Sequence, residues 1–291
     1  MFRLSFPLRL MAIKPAMFFI SLISTVLLTL CSARGTAQGN LVITPRRVLF
    51  EGQRKTQELN LANTGKDTAR YLISMMEIRM NESGAFEEIT VPDSGQNFAS
   101  SHVRFAPRSV TLGPGEAQTV KIQVTKQSQL VEGEYRSHIY FRAIPNEKPL
   151  GEKELSKDPE GINVHLIPIF GISIPVIIRV GETTSQVTLS NAIFEMWNDS
   201  IPVLDMVFNR TGNMSTYGDL RIDFISSQRK VTQVANIQGI AVYTPTSSRK
   251  VRVTLDKIAG IDYKTGKLHI VYTNPSGARS VKIAETELTL F

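Results

Sequence analysis

The sequence predicts an all-β protein made of two sandwiches in tandem, and three observations carry that expectation. Apolar residues alternate with period two over short segments nearly throughout, clusters of turn-forming residues separate those segments, and no stretch keeps a helical period with caps. The first 37 residues have a different composition and stand apart from the pattern.

That leading stretch carries Arg3, Arg9, Lys14 and Arg34 but no acid, an apolar run from about Ala16 to Leu30, and Ala33-Arg-Gly-Thr-Ala37 before Gln38. A basic, then apolar, then small-residue order is that of a cleaved secretory signal. A single anchoring helix is the competing reading, but Ser21, Ser24, Thr25 and Thr29 dilute the run. Cys31, the one cysteine, follows Leu30, whereas a lipid-attachment site wants a small residue there. The expected mature chain, residues 38–291, therefore has no thiol and no disulfide. It holds 29 basic against 26 acidic side chains, so most of the whole-chain charge of +7 belongs to the leader, and nothing points to nucleic acid.

Taken in order, Leu41 to Phe50 reads as a first strand carrying Arg46 and Arg47. Gln57-Glu-Leu-Asn-Leu-Ala62 alternates, Tyr71 to Met76 is more continuously apolar, and Thr119 to Thr125 places Val120, Ile122 and Val124 on one face. Asn63-Thr-Gly65, Asn81-Glu-Ser-Gly84 and Gly113-Pro-Gly115 are turn signals between them. Glu134 to Arg142 is another strand, and residues 146–161 form a charged loop. Further strands are expected at 186–189, 203–208, 218–224, 249–255, 267–272 and 281–288, with turn chemistry at Asn209-Arg-Thr-Gly212, Asn213 to Gly218 and Asn274-Pro-Ser-Gly277. Short strands at this spacing suit two immunoglobulin-like sandwiches. The boundaries read as 1–37 for the signal, 38–181 for the first domain and 182–291 for the second, hinged near Val180-Gly-Glu-Thr-Thr184.

The longest apolar extended segment runs from Ile162 to Arg179. Roughly 18 residues at about 3.3 Å each exceed an ordinary strand. Pro168 and Pro175 cannot donate to a ladder, which suits a sheet edge. So apolar an edge invites a covering partner.

Catalytic chemistry is not visible. His102, His138, His165 and His269 are scattered without metal-ligand spacing, so neither a metal nor a cofactor is expected. Gly260 to Lys267 has five residues where a phosphate loop needs four and Leu268 where it needs a hydroxyl; it reads as a hairpin turn. No nucleophile elbow occurs. Trp197, the one tryptophan, is expected to pack inside the second sandwich.

Four pieces in order carry a resemblance: Thr44-Pro-Arg-Arg-Val-Leu-Phe-Glu-Gly52, Leu59-Asn-Leu-Ala-Asn-Thr-Gly65, Phe105-Ala-Pro-Arg-Ser-Val-Thr-Leu-Gly-Pro-Gly-Glu116 and Tyr140-Phe-Arg-Ala-Ile-Pro145. Over about residues 45 to 180 the chain resembles the first domain of the periplasmic pilus-assembly chaperones; its second region is similar only in class. The resemblance implies a periplasmic, non-enzymatic protein that captures secreted pilin-like subunits by lending an edge strand to complete their fold. Here the lending strand would be Ile162 to Val176, with Val164, Leu166, Pro168 and Phe170 as one alternating set and Ile167 and Ile169 on the opposite face. The family also anchors the subunit's terminal carboxylate with an arginine on the first strand and a lysine on the lending strand. Arg47 matches the arginine, whose fork suits a carboxylate, and Arg46 would point to the other face. Ser173 stands where the lysine is expected, and no lysine occurs between Lys157 and Lys230. An outer-membrane assembly platform is a second expected partner, and a dimer that caps its own edge is left open. So is the alternative of an immunoglobulin-like structural or adhesion module of the cell envelope.

Overall fold

A computed structural model describes residues 41–125, 129–145, 169–274 and 280–291. Apart from one 3-10 turn at Ser100–His102, every regular element among them is a strand. The first sandwich comprises β1 (Leu41–Thr44), β2 (Val48–Phe50), β3 (Thr56–Asn63), β4 (Ala69–Met76), β5 (Ile78–Met80), β6 (Phe86–Glu88), β7 (Val103–Ala106), β8 (Ser109–Leu112), β9 (Ala117–Val124), β10 (Gly133–Ile144) and β11 (Gly171–Val180). Its two sheets run β1-β3-β9-β7 and β2-β11-β10-β4-β8, with β5 and β6 forming a separate hairpin. The second sandwich comprises β12 (Ser185–Trp197), β13 (Ile201–Gly212), β14 (Thr216–Ile225), β15 (Val231–Val242), β16 (Ser248–Thr254), β17 (Gly266–Asn274) and β18 (Val281–Leu290). Its sheets run β12-β13-β16 and β15-β14-β17-β18.

The alternation read in the sequence is what fills each core. Leu59, Leu61, Val120 and Ile122 are fully buried between the first pair of sheets, together with Ile139, Phe141, Val176 and Ile178 of the facing sheet. Leu204, Phe208, Leu220, Ile222, Leu268 and Ile270 do the same in the second. Each such side chain contributes about 1.5–3 kcal/mol relative to exposure.

Four sequence expectations change in detail. The first strand is two strands in different sheets. Leu41 and Ile43 face the core, then Val48 and Phe50 do, so the inward parity slips by one residue across Pro45-Arg-Arg47, where proline offers no N–H to a ladder. Asn209 to Gly212 is the end of β13, paired with β12, because buried Arg210 donates to the carbonyls of Gly212, Met214 and Thr246 and holds the strand extended. The 260–267 segment is no hairpin turn: β16 and β17 belong to different sheets, and buried Leu255 and Tyr263 pin the crossover into the second core. Trp197 is 51% exposed at the β12–β13 turn, where Asn198 and Asp199 take left-handed backbone (φ 50° and 52°) and the side chain is directed away from the core.

A third apolar cluster joins the sandwiches. Met80, Ile177, Ala241 and Tyr243 are buried together, flanked by Leu49 and Tyr217. Around it the hydrogen bonds cross between sandwiches. Thr246 Oγ1 donates to the Met80 carbonyl (2.5 Å), and the Lys250 amide donates to that of Glu82 in the β5–β6 turn (2.7 Å).

Candidate binding cleft and free strand edge

Strand parity decides what faces the second sandwich. On β11, Ile174, Val176 and Ile178 point into the first core, so Ser173, Pro175, Ile177 and Arg179 share the opposite face. The register pairs them with Tyr140, His138, Arg136 and Glu134 of β10 in turn. On β2 the same logic turns Arg47 and Leu49 away from the core that Val48 and Phe50 fill.

At one end of this face lies a closed polar network. Glu134, 3% exposed, accepts from Arg179 Nε (3.0 Å), from the Ser215 amide (3.0 Å) and hydroxyl, and from Thr244 Oγ1 (3.3 Å). Arg179 also reaches Glu51 Oε1 (2.5 Å) and donates to the Ser215 carbonyl (3.1 Å). Both charges of this pair are thus hydrogen-bonded across the junction, the condition under which a buried ion pair is tolerated. Arg136, 1% exposed, donates to the Thr244 carbonyl (3.3 Å) and stacks over the Tyr243 ring at 4.7 Å. Beside it, burial and then the Arg136 charge push the His138 imidazole down to about 3.

Arg47 is different. Its guanidinium lies 4.9 Å from the centre of the Tyr217 ring, its Nε is buried with no hydrogen-bond partner, and among the described residues no carboxylate pairs with it. Desolvation, then the neighbouring Arg179 charge, lowers its pKa. It lines a cleft of about 770 Å³ whose walls come from both sandwiches, with Leu49 and Arg179 on one side and Gln186, Tyr217 and Lys282 on the other. A guanidinium that lines a cleft and has no acid of its own is equipped to take a carboxylate oxygen.

The second feature is an open ladder. β11 is hydrogen-bonded to β10 along its length, yet β2 pairs with it only at Val176, Ile177 and Ile178. From Gly171 to Pro175 the other edge of β11 has no strand beside it among the described residues. The ladder to β10 continues one step further, since the Ala143 amide donates to the Phe170 carbonyl (2.9 Å). Ile169 and Phe170, at the open end, are 45% and 53% exposed. A Cβ at Gly171 would displace the Tyr140 ring, which lies over it.

The expected site residues fall out as follows. Arg47 lies in the cleft and Arg46 is exposed. Ser173 is on the same face of β11 but outside the cleft lining; Val48 is level with Val176, which sets Ser173 roughly two residues, about 7 Å, beyond Arg47 along the sheet. Ile169 and Phe170 lie at the free edge, whereas Val164, Leu166, Ile167 and Pro168 lie outside the described residues. Sequence reasoning did not single out Glu134, Arg179, Tyr217 or Lys282. Among the described residues no group of three His, Cys, Asp or Glu side chains is placed to hold a metal ion.

No family model matches the chain, and no curated protein matches it. Solved structures that match the chain include the YadV chaperone, 13% identical with a TM-score of 0.42, covering 87% of this chain and 100% of that one. A complex of the CsuC chaperone with the CsuE tip adhesion subunit, from Csu pili of Acinetobacter baumannii, is 13% identical with a TM-score of 0.44, covering 84% and 99%. The Salmonella enterica SafA pilin in complex with the SafB chaperone gives 14% identity and a TM-score of 0.40, covering 86% and 96%.

Proposed function

We propose that this chain is a periplasmic chaperone that holds secreted pilin-like subunits, lending them the strand that ends in β11 and seating their terminal carboxylate against Arg47. One observation supports the reading above the others: the unpaired edge at Gly171–Pro175 ends where β2 begins to pair with β11 at Val176, one residue past Arg47, which lines the cleft with no acid of its own. An extended subunit segment added along that edge gains backbone hydrogen bonds, and its chain end then arrives at the one cleft cation that has no acid of its own. On this reading residues 1–37 are removed on export, 38–181 form the strand-lending domain and 182–291 the second wall of the cleft. Val164, Leu166, Pro168 and Phe170 supply one set of alternate side chains and Ile167 and Ile169 the other, with Ser173 close to the carboxylate.

Co-expression with secreted subunits encoded beside the chain is the direct test. A stable one-to-one complex is the expected product, weakened by Arg47→Ala. Recovery of free chaperone and degraded subunit in every pairing sinks the proposal.

A further inference from the structure

The cleft carries more positive charge than Arg47 alone. Arg47, Arg179 and Lys282 all line it, and Glu51 is the one acid among the described lining residues. Arg179 is already committed, to Glu51, to buried Glu134 and to the Ser215 carbonyl, so it is in no position to serve a ligand. Lys282 is the remaining cation, and it comes from the other sandwich.

Its orientation has a local cause. Ala284, Leu288 and Leu290 of β18 pack against the second core, which makes the even positions the inward ones. By that parity Lys282 would point inward too. Instead the β17–β18 register shifts, Tyr272 pairing with Ala284 but Thr273 with Lys282, which leaves Ile283 as an extra residue. A bulge of this kind re-aims the side chains beyond it, and it turns Lys282 out of the core and onto the cleft wall. Its contact with Glu285 (2.5 Å) is between two half-exposed groups on the same strand, a weak and exchangeable pair.

We infer that Lys282 is the second cationic contact of the cleft, so that a chain-terminal carboxylate lodged there is held between Arg47 of the first sandwich and Lys282 of the second. The inference rests on the reading that the cleft takes a partner's terminal carboxylate. The chemistry divides naturally: Arg47, stacked on Tyr217, is fixed and presents N–H donors at a set angle, while Lys282 is a point charge on a flexible stem that follows the second oxygen. A carboxylate gripped this way ties the two sandwiches together, which a clamp confined to β2 and β11 does not.

The test uses the full chain and two synthetic peptides of alternating valine and phenylalanine, identical except that one ends in a free carboxylate and the other in an amide. Calorimetric titration of wild type is expected to favour the free acid by about tenfold or more. Lys282→Gln should reduce that preference several-fold while leaving amide binding unchanged, and Lys282→Arg should retain it. Because Lys282 is exposed, the thermal midpoint of either variant checks that the fold is intact. If Arg47→Ala erases the preference and Lys282→Gln leaves it whole, the second contact is overturned and the carboxylate reading stands. Equal affinity of wild type for the two peptides overturns both.

Discussion

Two arginines on one face of the first sandwich, Arg47 and Arg179, meet the second sandwich under opposite terms. Arg179 is enclosed by Glu134, Glu51 and the Ser215 carbonyl, and Glu134 in turn takes donors from Ser215 and Thr244. Arg47 has a tyrosine face, an unpartnered Nε and open cleft. Both sit where desolvation is costly. A charge that is satisfied within the molecule acts as a joint, because separating the sandwiches leaves it buried without its partners. A charge left unsatisfied contributes little to the joint and keeps its binding capacity for something else. The same interface therefore holds a fastening and a receptor a few residues apart.

The contrast breaks most visibly at Glu134. Glu134→Ala leaves Arg179 beside Arg47 with its buried counter-charge gone and only half-exposed Glu51 left, and strands the donors of Ser215 and Thr244. Removing one partner of a buried, hydrogen-bonded pair costs about 3–5 kcal/mol, to be read as a fall in the denaturant midpoint at unchanged slope. A loss below about 1 kcal/mol means the network is not a joint.

Acid weakens the same junction through His138, which sits 2% exposed among Arg136, Phe86 and Tyr243. The unfolded chain protonates this imidazole below its ordinary pKa of 6.5, while the folded chain resists until about 3. Below pH 6.5 the unfolded state thus binds the extra proton, and stability falls as pH drops toward 3, by on the order of 4 kcal/mol over the whole interval. Replacing the imidazole by a ring that does not titrate isolates the effect. His138→Phe should flatten the stability curve between pH 6.5 and 3 relative to wild type, and parallel curves for the two proteins refute it.

Why the sequence showed the sandwiches but not the joint is plain from β10. Tyr135, Ile139 and Phe141 alternate with Glu134, Arg136, His138 and Tyr140, a pattern that reads as one core face and one wet face. The core face is as expected. The other is buried as well, because a second sandwich packs on it, and no local period encodes what arrives from a hundred residues away. Strand existence survives for the opposite reason: Val120, Ile122 and Val124 face inward whatever surrounds the sheet. The slip of parity between Ile43 and Val48, which a single strand over Leu41–Phe50 did not anticipate, is what turns Arg47 away from the first core. The bulge that turns Lys282 has its trace in β18 as well, where the apolar positions change from odd (Val281, Ile283) to even (Ala284, Leu288, Leu290), although no glycine or proline marks the extra residue.

Arg47 is where the comparison is sharpest and the expected change in stability smallest. Arg47→Ala removes a stacking contact worth about 0.5–2 kcal/mol, and it also removes the desolvation cost of a guanidinium that has no acid to offset it. The two nearly cancel, so the free protein should change by about 1 kcal/mol or less in either direction, measured alongside Glu134→Ala under the same denaturant conditions. Subunit capture should fall in the same variant. A residue whose loss is cheap for the fold and costly for binding is held in place by what it binds; if Arg47→Ala instead destabilises the chain as much as Glu134→Ala, Arg47 is a second fastening and the receptor half of the comparison is gone.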